Sequence, residues 1–154
     1  LFKVSTGTKI VGQPKTQKGI VFLATIRKMA EKREITTLKE IHQLVDTFYG
    51  KVRKDELLAD IFNVVIQNNW PAHLEKMYRF WQTVLLGEHT YYGNPFAPHI
   101  KLPIQREHFD RWKQLFKQTV DENFIGEKAE EAKYRAEKMA EMFQLKIEYF
   151  QKGT

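Results

Sequence analysis

The residues of this chain best suited to chemistry are its five histidines, His42, His73, His89, His99 and His108, in a sequence with no cysteine. The missing thiols remove disulfides, thiolate metal sites, cysteine nucleophiles and the covalent Cys-x-x-Cys-His cofactor linkage together. No histidine has a glutamate three positions before it, so the Glu-x-x-His pattern of di-iron bundles does not occur, and neither does His-Glu-x-x-His. His42 falls early on a helical pattern, while His89 and His108 stand beside Glu88 and Glu107 near helix ends. Solvated or capping rings are expected at those three.

His73 and His99 are placed differently. His73 shares an apolar stripe with Trp70, Met77, Phe80, Trp81 and Val84, where a polar ring must find a partner or bear the cost of burial. A lone core histidine ordinarily bonds a backbone carbonyl. Here Tyr49 and Trp112 aim two more hydrogen-bonding tips at the same interior from other helices. His99 lies in "GNPFAPHIKLPI", fixed between prolines and able to face the core from the side opposite His73 and Tyr49. A planar metal cofactor would fit between them. Haem b needs one neutral imidazole for iron, large apolar walls and donors on the other face. The aromatics Phe48, Phe62, Phe80, Trp81 and Trp112 could supply the walls. On spacing alone a rival stays open, a helical interaction module whose core histidines are satisfied.

The elements that must position these residues are helices. "TTLKEIHQLVDTFYGKVRK" opens with Thr37 and, three residues later, Glu40, a capping-box pattern. It then places Leu38, Ile41, Leu44, Val45, Phe48, Tyr49 and Val52 on one face. A short piece follows around Leu57 to Phe62. "NNWPAHLEKMYRFWQTVLLG" offers asparagine caps, a proline in the first turn and a stop at Gly87. Glu88 to Ile104, holding Gly93, Pro95, Pro98 and Pro103, reads as irregular. Two further amphipathic runs follow. One passes through Phe109, Trp112, Leu115, Phe116 and Val120, the other turns Ala132, Met139, Phe143, Ile147 and Phe150 inward. No alternating strand pattern occurs. The expectation is an all-α domain over residues 35–152, with four main helices and one irregular segment.

Charge divides the chain unevenly. Residues 1–28 carry Lys3, Lys9, Lys15, Lys18, Arg27 and Lys28 and no acid, which leaves 19 basic and 19 acidic residues for the rest. The net charge of +6 therefore belongs to the N-terminal segment. With Gly and Pro punctuation and little periodicity, residues 1–34 read as a basic extension, unstructured or read through from upstream of a start at Met29. A basic arm or a transit segment is the alternative. No apolar run reaches the eighteen or so residues that a membrane span needs, so no membrane partner is expected, and the absence of disulfides fits a cytoplasmic setting.

Three blocks carry a resemblance. "LVDTFYGKVRKDELLADIFN", "WPAHLEKMYRFWQTVLLGEHTYYGNPFAPHIKLPI" and "HFDRWKQLF" resemble, in order and separation, the group III truncated haemoglobins of bacteria, over roughly residues 37–150. The resemblance implies a truncated globin fold, a two-over-two helical sandwich around non-covalent haem b (iron protoporphyrin IX). The histidine of the N-P-x-x-x-H block, the family's proximal iron ligand, falls here on His99. The tyrosine of F-Y-x-K-V, the histidine of W-x-x-H and the tryptophan of H-F-x-x-W give Tyr49, His73 and Trp112 on the distal side. Phe62 matches the aromatic packed on the haem face, Met77, Phe80 and Trp81 match positions along the distal helix, and Lys76 is placed as a propionate partner or a solvated lysine. Two features depart from the pattern. Pro98 immediately precedes His99, where a residue freer to enter a helical turn is expected, and so bears on the angle of the ring rather than on ligation, and the basic N-terminal segment has no counterpart in compact family members.

The implied function is binding of O2, NO and CO at a polar distal pocket. Retention of O2 by Tyr49 with support from Trp112, and His73 as a gate or second donor, would suit NO detoxification or peroxide chemistry rather than bulk transport. Such an activity requires a reductase. The expected state is a monomer without nucleic acid. The alternative is a haem-free helical regulatory or nucleic-acid-binding module whose basic arm touches phosphates.

Overall fold

The computed structural model describes residues 16–152. They belong to two units, one ending at Glu31 and the other starting at Lys32. The first unit contains α1 (Gln17–Ala30), begun where Thr16 Oγ1 accepts the Gly19 N–H at 3.3 Å. The punctuation that reads as an unstructured extension is confined to its start, and after Gly19 no glycine or proline interrupts the helix. Residues 1–15, the rest of that expected extension, lie outside the described residues.

The second unit contains α2 (Leu38–Val52), α3 (Ala59–Ile66), α4 (Trp70–Leu86), a 3-10 turn at Ala97–His99, α5 (Arg106–Asn123) and α6 (Glu127–Lys152). α2 packs on α4 and on α5, and α5 packs on α6. Two helical pairs thus face each other, α2 with α4 and α5 with α6. Among the described residues the extended pairing is a single parallel bridge between Arg33 and Phe124.

Local chemistry explains the boundaries. Thr37 caps α2, its hydroxyl accepting the Lys39 N–H at 3.3 Å while Glu40 accepts the Thr37 N–H at 2.9 Å. The expected capping box is therefore present, and these bonds satisfy amides that the first turn leaves open. Gly87 ends α4 at φ 70, a left-handed conformation that a Cβ disfavours. Pro71 lies in the first turn of α4 as expected, but Asn69 makes no side-chain bond there, so proline and packing start this helix. Gln105 and His108 cap α5 reciprocally, with His108 Nδ1 accepting the Gln105 N–H at 3.0 Å. His108 is thus a capping ring.

Two side chains expected inward are not. Leu38 and Phe150 are exposed; Leu38 sits in the first turn of α2, and Phe150 lies near the end of α6, where it meets Phe96 at 6.3 Å. The seam of α6 is instead Ala129, Ala132, Ala136, Ala140, Phe143 and Ile147. Its first four members are alanines, which let α6 approach α5 closely.

Candidate functional site

The core separates into two apolar clusters. The first includes Phe48, Tyr49, Trp70, Trp81 and Phe116, with Phe62, Met77 and Phe80 packed against it. The second gathers Phe96, Ile104, Phe109, Phe143 and Ile147. Trp112 packs against both.

On the side of the first cluster, α2 carries Tyr49 and α4 carries His73, with ring centroids 5.0 Å apart and planes at 89°. Trp70 closes this group, 6.0 Å from Tyr49 and 5.7 Å from His73. Phe62, from α3, meets the Tyr49 ring at 6.0 Å. Phe48 touches Tyr49 at 4.9 Å and Trp112 at 5.3 Å. Trp81 stacks on Phe116 at 4.8 Å, one layer behind Trp112. Burial pushes the Tyr49 phenol well above its ordinary value. It keeps its proton and is a donor.

His99 stands against the second cluster, 4.9 Å from the Phe143 ring. Its turn is built locally. Asn94 Oδ1 accepts the Phe96 and Ala97 N–H groups at 3.0 and 3.3 Å, and the His99 N–H bonds the Phe96 carbonyl at 2.9 Å. Pro98 falls inside that turn, where its missing N–H is not needed. The restriction expected from Pro98 therefore does not keep His99 out of a turn. Burial lowers the His99 pKa, while the Pro95 and Phe96 carbonyls act in the opposite sense without forming a well-aligned bond to Nδ1.

His73 feels the second ring. Burial first, then the charge of Lys76, then His99 lower the His73 pKa to about 4. His73 is therefore neutral near pH 7. Both rings also carry a buried nitrogen with no hydrogen-bond partner among the described residues, Nε2 of His73 and Nδ1 of His99. Buried polar atoms are rarely left so. Two neutral imidazoles on opposite apolar clusters, flanked by a protonated phenol, fit a flat apolar group with a metal at its centre. Among the described residues no group of three or more His, Asp or Glu side chains stands together to cage a bare ion. Lys76 is exposed, one turn beyond His73, and acts on that ring through its charge.

Of the sequence-derived candidates, Phe48, Tyr49, Phe62, His73, Met77, Phe80, Trp81 and Trp112 come together around the first cluster, and His99 joins the second. Lys76 remains on the solvent side. Sequence reasoning missed Asn94 as the group that builds the His99 turn, although an asparagine two residues before Phe96 in a proline-bounded loop is the usual signal of such a turn. It also missed Asp55. This buried carboxylate accepts the Leu57 and Leu58 N–H groups, both at 3.1 Å, and pairs with Arg111 Nε at 2.7 Å, tying the α2–α3 corner to the helix that carries Trp112.

Comparison with known proteins gives the same result from outside the structure. The profile of the bacterial-like globin family matches residues 34–148. The group 3 truncated haemoglobin ctb of Campylobacter jejuni is 36% identical over 117 residues, spanning 73% of this chain and 92% of that protein. The crystal structure of a group III truncated haemoglobin from Campylobacter jejuni superimposes with a TM-score of 0.70 at 35% identity, covering 75% of this chain and 94% of the other. Among the described residues no helix is long and apolar enough to cross a membrane. The helices from α2 to α6 are thus those of a haem-binding, gas-binding fold rather than of the haem-free module that the sequence left as an alternative, and the chain belongs to the bacterial-like globin family, with the group III truncated haemoglobins.

Proposed function

We propose that this chain holds haem b between His73 and His99, with His99 as the iron ligand, and retains O2 on the side of Tyr49. The observation that carries the proposal is the buried Nε2 of His73, which has no hydrogen-bond partner among the described residues, with a second buried imidazole, His99, near enough for its charge to act on that ring. The Pro95 and Phe96 carbonyls near the His99 ring favour a proton on the nitrogen they face, which would leave the other nitrogen its lone pair for the metal. Haem supplies an iron that binds O2, NO and CO and cycles between ferrous and ferric.

The chain supplies everything around it. Phe48, Phe62, Met77, Phe80 and Trp81 exclude water, and Lys76 pairs with a propionate. Tyr49 holds its proton at the hydroxyl oxygen and donates it as a hydrogen bond towards the ligand, with Trp112 Nε1–H as a second donor. His73, neutral, adds a donor without adding charge. Such donors favour a ligand that carries partial negative charge, so O2 is retained rather than delivered. Retention suits consumption of O2 by nitric oxide to give nitrate, or reduction of peroxide, with a reductase restoring the ferrous state. We place this monomeric activity in the bacterial cytoplasm.

The test is an absorption spectrum of the chain purified with haem supplied, beside a His99→Ala variant. A Soret band that shifts on reduction and with carbon monoxide, and is lost or altered in the variant, supports the assignment. Folded protein without a Soret band, or a variant with an unchanged spectrum, refutes it.

A further inference from the structure

The proposed pocket adjoins a run of aromatic rings that extends beyond any need of the ligand-side residues. From Tyr49 the contacts pass to Phe48, which touches Trp112 at 5.3 Å and Phe116 at 5.2 Å. Trp112, Phe116 and Trp81 then form a stacked column, with centroid spacings of 5.4 and 4.8 Å and interplanar angles of 10° and 21°. Trp81 meets Phe80 edge-on at 5.3 Å, and Phe80 meets Tyr91 at 5.4 Å. Tyr91 is half-buried in the loop after α4. The run begins at the pocket and ends at a phenol that reaches water.

Core packing accounts for each contact singly. It does not account for the order of oxidisable rings. Tryptophan and tyrosine release an electron far more readily than phenylalanine, and electron tunnelling falls steeply with distance. Trp112, Trp81 and Tyr91, each separated from the next by one phenylalanine ring, are therefore spaced as successive stops. A second exit, from Tyr49 to Trp70 at 6.0 Å, is electrostatically closed, because the Arg53 guanidinium lies 4.6 Å over the Trp70 ring. A cation there stabilises the neutral indole and opposes a positive hole. The end of the open branch is also shaped for its phenol. A Cβ at Gly93 would stand 2.5 Å from the Tyr91 hydroxyl oxygen, so only glycine leaves that oxygen its place.

We propose that this column passes single electrons from Tyr91 to the pocket and so drains oxidising equivalents to the surface when hydrogen peroxide arrives and no reductant enters the pocket. The proposal rests on the peroxide branch of the function above. One hydrogen peroxide takes two electrons and two protons at one pocket and gives two waters. Tyr91 of the same chain supplies the electrons in two turns, each time sending its electron through the column and its proton to solvent. Between turns a small phenol or ascorbate-type reductant gives the tyrosyl radical a hydrogen atom, so that one O–O bond and two O–H bonds of the reductant break and two O–H bonds of water form. A radical that meets no such reductant is left as a covalent modification.

The haem-loaded full chain is treated with hydrogen peroxide and a radical trap, and modified residues are mapped by mass spectrometry. Tyr92, Tyr134 and Tyr149 are 88%, 61% and 77% exposed and serve as controls. The proposal expects Tyr91 to be modified severalfold more than any of them, and Trp81→Phe to lower Tyr91 modification severalfold with Tyr92 unchanged. Modification that ranks with exposure overturns it. A second measurement needs no peroxide: radiolytic azide radicals oxidise tryptophan directly, and the tryptophan radical band should decay as a tyrosyl band grows, severalfold more slowly in Tyr91→Phe. An unchanged transfer rate in that variant overturns the column. Transfer through Tyr91 with no peroxide-driven modification supports the column and removes the peroxide reading instead.

Discussion

Replacing His73 with phenylalanine should remove an acid-sensitive part of the stability. The ring is half-buried on α4, and its protonated form is disfavoured by burial first, then by Lys76, then by His99, so its pKa falls from 6.5 to about 4. In the unfolded chain the same ring takes up a proton at its ordinary value. As pH falls from 6.5 towards about 4, the unfolded state therefore binds a proton that the folded state does not. The contribution is complete above the unfolded pKa and is lost progressively through this window. At about 1.4 kcal/mol per pKa unit the drop corresponds to roughly 3 kcal/mol, and solvent screening of the exposed part of the ring reduces this to about 2 kcal/mol. Urea unfolding of the wild type and His73→Phe prepared without haem, followed by helical circular dichroism across this range, measures it. His99 is common to both proteins, so the difference between the curves isolates His73. The wild type should lose about 2 kcal/mol more than the variant between the two ends of the window. Parallel curves would show that His73 is not held neutral by its surroundings, and the electrostatic account of the pocket would fail with them. Lys76→Met, which removes the second cause, should move the wild-type midpoint upward.

Three further outcomes follow from contacts described above. Asp55→Ala removes a buried carboxylate from Arg111 and from two backbone N–H groups and should cost about 2–3 kcal/mol in urea unfolding, with Arg111's partial exposure holding it at the low end for a broken buried pair. Burial works against the Asp55 charge, but Arg111 and the amides outweigh it and lower the pKa; this contribution is present above the usual carboxylate range and disappears as pH falls through the lowered value, so the cost of the substitution should shrink in strong acid. Thr37→Ala, which opens the first turn of α2, should cost about 1 kcal/mol by the same assay. Tyr49→Phe should speed O2 release severalfold in stopped-flow displacement, and an unchanged rate removes the hydroxyl from the retention mechanism.

The helices were legible wherever a local rule governs them. Thr37 and Glu40 mark the start of α2, and Gly87 the stop of α4, by bonds and dihedrals that involve only near neighbours. The stripe holding His73 was legible because helical periodicity itself places a polar ring among Trp70, Met77 and Trp81. Burial at the ends was less legible: Leu38 and Phe150 continue their stripes in sequence, but both stay exposed, and periodicity says nothing about where a partner helix ends. α3 runs through Ile66, beyond the short piece expected to end at Phe62, with Val64 and Val65 exposed, because its apolar run is covered on one side only. The ion pair of Asp55 with Arg111 joins residues more than fifty positions apart, a distance over which pattern carries no information. The aromatic column was hidden for the same reason: Phe80, Trp81, Trp112 and Phe116 each read as core, and only the packing of α2 against both α4 and α5 orders them into a line.

The bridge at Arg33 bears on how the chain reaches this state. Arg33 donates to the Asn123 carbonyl at 3.2 Å and accepts the Ile125 N–H at 3.0 Å, closing a loop of about ninety residues for two hydrogen bonds and the burial of Ile35 and Phe124. Closure over such a length is rewarded only after the intervening helices have packed and brought the corner between α5 and α6 within reach. The segment leading into α2 is therefore a late arrival in folding and an early departure in partial opening. The amides of Arg33 and Ile125 should lose hydrogen-exchange protection together, in an event that leaves the amides of α2 and α5 protected.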